Sequence, residues 1–401
     1  MAAWELARAG KSVALLERRI LPRRKTCGGG IPISAQNLLE LELCQDISQE
    51  SIVESTVRSI RHTYQFKSPY LAEINPDGAA PEYSLWMVQR SIFDNALAQR
   101  AARAGVELID GLPVKTVSIL PDGKVLVQAE GEEGIWEASC GTLIGGDGAN
   151  GVTAGKVKLR RNRALAIAIE AEVPHRWGDG HPDLRPDVCH LEYGVKRGYA
   201  WVFPKANHLN VGAGFFQVNR EKDSHQESVK QDLRNFIVQY LSYLGAPQNE
   251  QDLTFFAHPL PIWNGIEPLQ NQQHNVLLIG DAAGLINPFF GDGILHAMKS
   301  GKIAAQCVLQ NRTEFYTGEI EKEFRTNFDA ALKFSKFFYR FPWLCYRYGV
   351  INPNSTRTAV RLLSGDLTFP QISKRIMNRI RQAIAAERRG SFKNSEQNIN
   401  S

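Results

Sequence analysis

The sequence predicts an α/β fold: a discontinuous nucleotide-binding-type domain, interrupted by antiparallel sheet and followed by helices. Three observations predict it. Residues 1–19 (MAAWELARAGKSVALLERR) read as helix, turn, strand and acid. A buried strand followed by a glycine-rich turn and a helix recurs at 272–311. Between such segments, at 52–87 and 156–271, β-branched and aromatic residues alternate among turn signals, the pattern of antiparallel strands.

Ala2, Ala3, Leu6 and Ala7 form a small apolar face at helical spacing, and Gly10 ends the helix. Residues 12–16 (SVALL) are expected as a strand buried on both faces, closed by Glu17. Together they make the second half of a Rossmann-like βαβ unit, in which the acid after the second strand accepts hydrogen bonds from a ribose hydroxyl pair. The first strand and its G-x-G-x-x-G turn, which set backbone N–H groups and a helix N-terminus against a pyrophosphate, are expected upstream of residue 1.

Residues 20–33 (ILPRRKTCGGGIPI) read as a loop, 34–43 as a helix, and 90–104 as an amphipathic helix ended by Gly105. Strands follow at 106–131, with a hairpin at Pro121, Asp122 and Gly123, and a short buried strand at 142–144 runs into GGDGANG. Residues 227–244 read as a helix, 275–279 (NVLLI) as another buried strand, and helices dominate from Gly293. The expected organisation is a cofactor domain from 1–51, 88–155 and 272–311, and a substrate domain from 52–87 and 156–271. A helical C-terminal region at 312–389 and a disordered polar tail at 390–401 complete it.

The chain has 401 residues, is 43% hydrophobic and carries a formal charge of +5. That charge is uneven: residues 311–401 hold 16 Lys and Arg against 8 Asp and Glu. A basic tail can meet an acidic lipid surface, nucleic acid or only water; no nucleic-acid partner is expected. The six cysteines (Cys27, Cys44, Cys140, Cys189, Cys307, Cys345) include no C-x-x-C pair, which argues against a zinc site or disulfide framework and for a reducing, cytoplasmic compartment. The nine histidines show no metal-ligand spacing, so no metal is expected. No run approaches the ~18 apolar residues of a membrane span. The segment KFSKFFYRFPWLCYRYG (333–349) mixes aromatics with Lys and Arg, which suits either a helix at a membrane interface or a core helix with snorkelling basic residues.

The most informative stretch is LLIGDAAGLINPFFGDGILHAM (277–298). A buried strand delivers Asp281 at its C-terminal end, where doubly wound sheets bind ligands and a carboxylate can accept from polyol hydroxyls. Gly291 and Gly293 flank Asp292 at a helix start, where backbone N–H groups can approach a flat, electron-rich ring. GDAAGxxxPxxGDGI resembles the second FAD motif of the p-hydroxybenzoate hydroxylase-like flavoproteins, which assigns Asp281, Gly291, Gly293 and Ile294 to the cofactor. RSIFDNALAQRAARAGVEL (90–108) resembles that group's R-x-x-F-D-x-x-L helix, which implies that Arg90 lies near the FAD pyrophosphate. LIGGDGANG (143–151) resembles its DG motif, with Asp147 and Gly148, but has Gly151 where a serine is usual. By the same resemblance Glu17 belongs on the adenosine ribose, and the interrupted domain is a Rossmann-like FAD domain.

Two further segments, KTCGGGIP (25–32) and YAWVFPKANHLNVGAG (199–214), resemble the geranylgeranyl reductases. That resemblance spans roughly residues 1–310. It implies saturation of isoprenoid C=C bonds by hydride from reduced FAD, with NADPH or ferredoxin as electron donor. Gly28, Gly29 and Gly30 let a loop lie flat against the flavin, and Cys27 beside them is placed to supply or relay the proton for the second alkene carbon. Tyr199, Trp201 and Phe203 alternate, so they share one strand face: the wall of a prenyl tunnel, or plain core. Two alternatives stand beside this reading: a flavin monooxygenase or halogenase of the same fold, and a non-enzymatic prenyl-lipid binding protein. Oligomeric state is not legible.

The 401-residue chain is expected to hold FAD poorly, and a form extended upstream by a strand and G-x-G-x-x-G turn is expected to purify yellow. Flavin stoichiometry after gel filtration distinguishes them; stoichiometric FAD in the 401-residue chain contradicts this reading of its start.

Overall fold

Seven strands form one mixed sheet in the order Phe256–Ile262, Ala164–Pro174, His208–Phe216, Gly198–Pro204, Val188–Glu192, Ser59–Tyr64, Lys67–Glu73. Neighbours run antiparallel except Val188–Glu192 and Ser59–Tyr64, which are parallel. The computed structural model describes residues 1–39, 52–216, 226–372 and 378, apart from positions 79, 81, 161 and 266. The expectations for 40–43 and for the polar tail lie outside the described residues.

The sheet's two faces follow from period-2 alternation. Ile169, Val173, Ala200, Val202, Val211 and Ala213 point to one side and pack against Leu233, Ile237, Tyr240 and Leu241 of the helix Gln226–Tyr243. Each fully buried Val, Leu or Ile among them contributes roughly 1.5–3 kcal/mol. The intervening residues, among them Glu170, Tyr199, Trp201, Phe203 and Phe216, face the opposite way and line a cavity.

Smaller sheets surround this one. Gly30–Pro32, Leu85–Val88 and Val53–Val57 form a three-stranded antiparallel sheet, so the stretch 52–87 divides between two sheets. Val114–Ile119, Val125–Gly131 and Gly134–Cys140 form another, with the first hairpin at Pro121, Asp122 and Gly123. Two parallel pairs complete the strands: Ala14–Leu16 with Glu107–Ile109, and Leu143–Gly145 with Val276–Leu278.

Several expectations are corrected here. Ala14–Leu16 is not buried on both faces; Ala14 is exposed and Leu15 and Leu16 half-buried, because among the described residues this strand pairs along one edge only. Within 52–87 a short helical turn, Pro76–Gly78, follows the strand Lys67–Glu73. The helix Arg90–Arg103 forms where expected and stops before Gly105 (φ +99°), but it fully buries only Phe93 and Ala101.

After the helix Ile294–Leu309, the C-terminal region is helical as far as it is described, with Tyr316–Arg340, Pro342–Cys345 and Ser355–Leu363; the expectation for 373–389 lies, apart from position 378, outside the described residues. No helix among the described residues is long and apolar enough to cross a membrane. The segment 333–349 is divided. Phe338, Tyr339, Cys345 and Tyr346 are buried, whereas Phe341 and Trp343 are half exposed (49% and 51%) beside exposed Arg340 and Arg347. Tyr346 donates to the carbonyl of His62 (3.1 Å), and Thr356 Oγ1 lies 2.9 Å from His62 Nε2. These bonds seat the last helices on the sheet's far edge. Burial pushes the His62 pKa down to about 3, so its ring is a neutral link.

Candidate active site

A cavity of about 450 Å³ runs along the aromatic face of the large sheet. One end is bounded by Lys25, Cys27, Arg90, Asp281 and the turn from Gly291 to Ile294. The lining also takes in Phe338, Tyr348, Val350 and Thr356 of the C-terminal region, and exposed Asn354. Elsewhere the wall is largely apolar: Ala166 and Ala168, Leu191, Tyr199, Trp201 and Phe203, and Phe216. The aromatic stripe is therefore cavity wall as well as packing. Trp201 Nε1 donates to Asn210 Oδ1 (2.9 Å), and the Tyr199 hydroxyl to Phe290 O (2.5 Å), so both rings are held in place.

The loop carrying Cys27 is pressed between this stripe and the edge of the strand Leu85–Val88. A Cβ on Gly28 would fall 2.6 Å from the Phe203 ring, and one on Gly29 2.1 Å from the Val88 carbonyl. Gly29 also has φ +71°. Lys205, 2% exposed, donates from Nζ to Gly28 O (2.7 Å) and Val88 O (2.8 Å), joining loop and strand. Burial lowers its pKa to about 8 against the attraction of Glu54, Cys27 and Glu170. On the other side of the loop the Cys27 N–H donates to Glu170 Oε1 (2.9 Å).

At the glycine-rich turn, Asp281 lies beside Lys25 and His258. His258 Nε2 lies 3.9 Å and Lys25 Nζ 4.0 Å from its Oδ2, and Lys25 is 2.9 Å from His258. Burial pushes the Asp281 pKa up, but His258, Lys25 and Arg90 outweigh it and leave the carboxyl below its ordinary range. Arg90 makes a two-point contact with Asp94 (2.7 and 2.9 Å). Burial works against its charge, yet Asp94 and the Cys27 side chain beside it raise its pKa above the normal arginine value.

The structure thus gathers Cys27, Gly28, Gly29, Gly30, Arg90, Asp281, Gly291, Gly293, Ile294, Tyr199, Trp201 and Phe203 around one cavity. Glu17 and Asp147 are not among its lining residues. Glu17 pairs with Arg23 (3.0 Å), which bridges to Asp94 (2.8 Å) and so ties Glu17 to Arg90 through a chain of ion pairs. Asp147 accepts from the Thr153 N–H (2.8 Å) and caps the short helix there. A Cβ at position 151 would meet the Asp147 carboxyl in its present rotamer. Sequence reasoning missed Lys25, His258, Glu170, Lys205 and Asn210. Lys25 stood inside the quoted 25–32 motif, and Lys205 and Asn210 inside the 199–214 motif; nothing local marked His258 or Glu170.

Replacing Gly29 tests the clamp. Gly10 (φ +78°) has nothing within 4 Å of its Cβ position, so Gly10→Ala carries only the left-handed backbone cost, roughly 1–2 kcal/mol. Gly29→Ala adds a collision with backbone, so its loss in urea-unfolding stability is expected to exceed that of Gly10→Ala.

No family model matches the chain. It is similar to digeranylgeranylglycerophospholipid reductase 1 of Methanopyrus kandleri, 30% identical over 352 residues, which are 82% of this chain and 85% of that protein. Among solved structures it resembles a geranylgeranyl bacteriochlorophyll reductase-like protein from Thermoplasma acidophilum (TM-score 0.69, 21% identity, 94% of this chain and 92% of that one). It also resembles a flavin-dependent brominase (TM-score 0.70, 20% identity, 97% and 96%). Those two likenesses speak to the fold, which reductase and brominase share. The similarity along the sequence, covering most of both chains, decides between them: this chain belongs to the geranylgeranyl reductase family.

Proposed function

We propose that this chain is an FAD-dependent reductase that saturates C=C bonds of a geranylgeranyl or related isoprenoid chain. The observation that carries the reading is the single cavity that joins the Asp281 and Gly291 end, through Cys27, to a long apolar wall. Its largely apolar lining suits an extended, methyl-branched prenyl chain better than a compact polar substrate.

Three features support a flavin at the glycine-rich end. Gly291 and Gly293 present no side chain to the cavity. The 16-residue helix Ile294–Leu309 starts there without a side-chain cap, leaving first-turn N–H groups for an electron-rich edge. The buried Asp292 Oδ1 has no hydrogen-bond partner, an acceptor that a ring N–H would satisfy. When reduced and bound, the flavin supplies the hydride; NADPH or ferredoxin is the proposed source of its electrons.

The chain's own residues do the rest. The glycine loop, held by Lys205, offers bare backbone beside the cavity. Tyr199, Trp201 and Phe203 orient the prenyl chain and exclude water. Cys27, at the junction of the two regions, holds the proton for the second alkene carbon. Catalysis on an uncharged alkene rests mainly on this positioning.

Peripheral membrane contact is part of the same proposal. Phe341 and Trp343 project beside Arg340 and Arg347 on the segment whose buried residues line the cavity, which suits uptake of a lipid substrate.

Cys27→Ala is expected to retain FAD and its reduction while alkene saturation falls ~10²-fold, and Cys27→Ser to do nearly as badly. The assay is anaerobic reoxidation of pre-reduced flavin by a geranylgeranyl substrate. Reoxidation of the Ala variant at the wild-type rate makes Cys27 a packing residue; NADPH-coupled oxygen consumption instead favours the monooxygenase or halogenase alternative. The protein is also expected to pellet with anionic vesicles at low salt and be released as salt rises. No pelleting at low salt leaves 333–349 as a core segment alone.

A further inference from the structure

We propose that Glu170 is the proton-holding acid of this site, restoring to Cys27 the proton that the thiol gives up; the proposal rests on the reductase reading above. Glu170 lies on the strand Ala164–Pro174, is 2% exposed, and shares its cavity wall with Ala166, Ala168, Trp201 and Phe203. A carboxyl group is expensive at such a position, where an amide or an aliphatic side chain would pack without that cost. Its direct partner from the loop is the Cys27 N–H, which places the acid beside the residue whose proton is consumed.

The surroundings favour a neutral acid that can become charged briefly. Burial raises the Glu170 pKa, and Glu172 on the same strand acts in the same direction. The Asn210 side chain from the neighbouring strand, the Cys27 N–H and Arg24 from the loop oppose that rise. Lys205, behind the loop, sees both Cys27 and Glu170.

As one alkene carbon takes the hydride, the other takes the thiol proton. The S–H bond breaks and sulfur keeps the electron pair, as a thiolate beside the Arg90 guanidinium. The Glu170 O–H bond then breaks and its proton passes around the Cys27 backbone to sulfur, which itself lies against the Gly29 N–H (3.4 Å) and Arg90. The Glu170 carboxylate is stabilised by the Cys27 N–H and the Lys205 charge until a solvent proton restores the acid. Glu170 acts through Cys27 and is in that sense a positioning residue for the proton.

Glu170→Gln keeps a carbonyl oxygen for the Cys27 N–H. In FAD-loaded protein it is expected to leave flavin affinity and the first anaerobic turnover of pre-reduced enzyme at wild-type level, while steady-state turnover falls about 100-fold. Glu170→Asp, which keeps an acid, is expected to recover part of that loss. An infrared pH titration of the protein without substrate supplies a second readout: a protonated-carboxyl band at neutral pH, identified by its absence in Glu170→Gln. Wild-type steady-state turnover in the Gln variant overturns the proposal. So does an ionised Glu170 at neutral pH, an Asp variant no better than Gln, or loss of flavin affinity and first turnover together. A wild-type protein that leaves every geranylgeranyl substrate unreduced while showing the infrared band overturns the reductase reading instead, and with it Glu170's role in that reaction.

Discussion

The site depends on one buried ammonium. Lys205 Nζ holds the carbonyls of Gly28 and Val88 together, so the loop, the three-stranded sheet and the end of the strand Gly198–Pro204 meet at a single point. A buried cation that satisfies two backbone acceptors offsets part of its own desolvation and leaves little slack in the loop. With the loop so held, only glycine fits at 29, and Phe203 closes against Gly28. Cys27 and Arg90 then share one corner of the cavity.

That corner is polar in an otherwise largely apolar enclosure. Ion pairs from Glu17 through Arg23 and Asp94 to Arg90 tie together charged groups on the Arg90 side of the cavity. Farther along, the polar groups near the wall are neutral: His62 lies between the Tyr193 hydroxyl (3.0 Å) and Thr356. An apolar chain can therefore lie along the sheet without facing an unpaired charge until it reaches the reacting end.

The C-terminal helices are part of this enclosure rather than an appendage. Phe338, Tyr339 and Tyr346 pack with Phe216 and Ile286 in one cluster, which links the tail to both the large sheet and the glycine-rich turn. The basic, aromatic composition of 333–349 served two ends at once: its buried rings build the cavity wall, while Phe341 and Trp343 remain outside among arginines.

What the sequence determined by itself was local. A strand running into GDAAG, a helix starting after GDG, a hairpin at Pro121–Gly123 and the alternation of Tyr199, Trp201 and Phe203 are each set by neighbours a few residues away, so spacing and turn chemistry reveal them. Family resemblance added roles to those same positions. Alternation told which residues share a face, but not whether that face meets a helix or a cavity. Only the tertiary structure decided that, together with the partners of the buried polar groups. Glu170 meets Cys27 across 143 positions, Lys205 meets Gly28 across 177, and His62 meets Thr356 across 294. Nothing local records such pairs, because a polar residue at a strand position is read as solvent-facing until the fold removes the solvent and obliges it to find a partner.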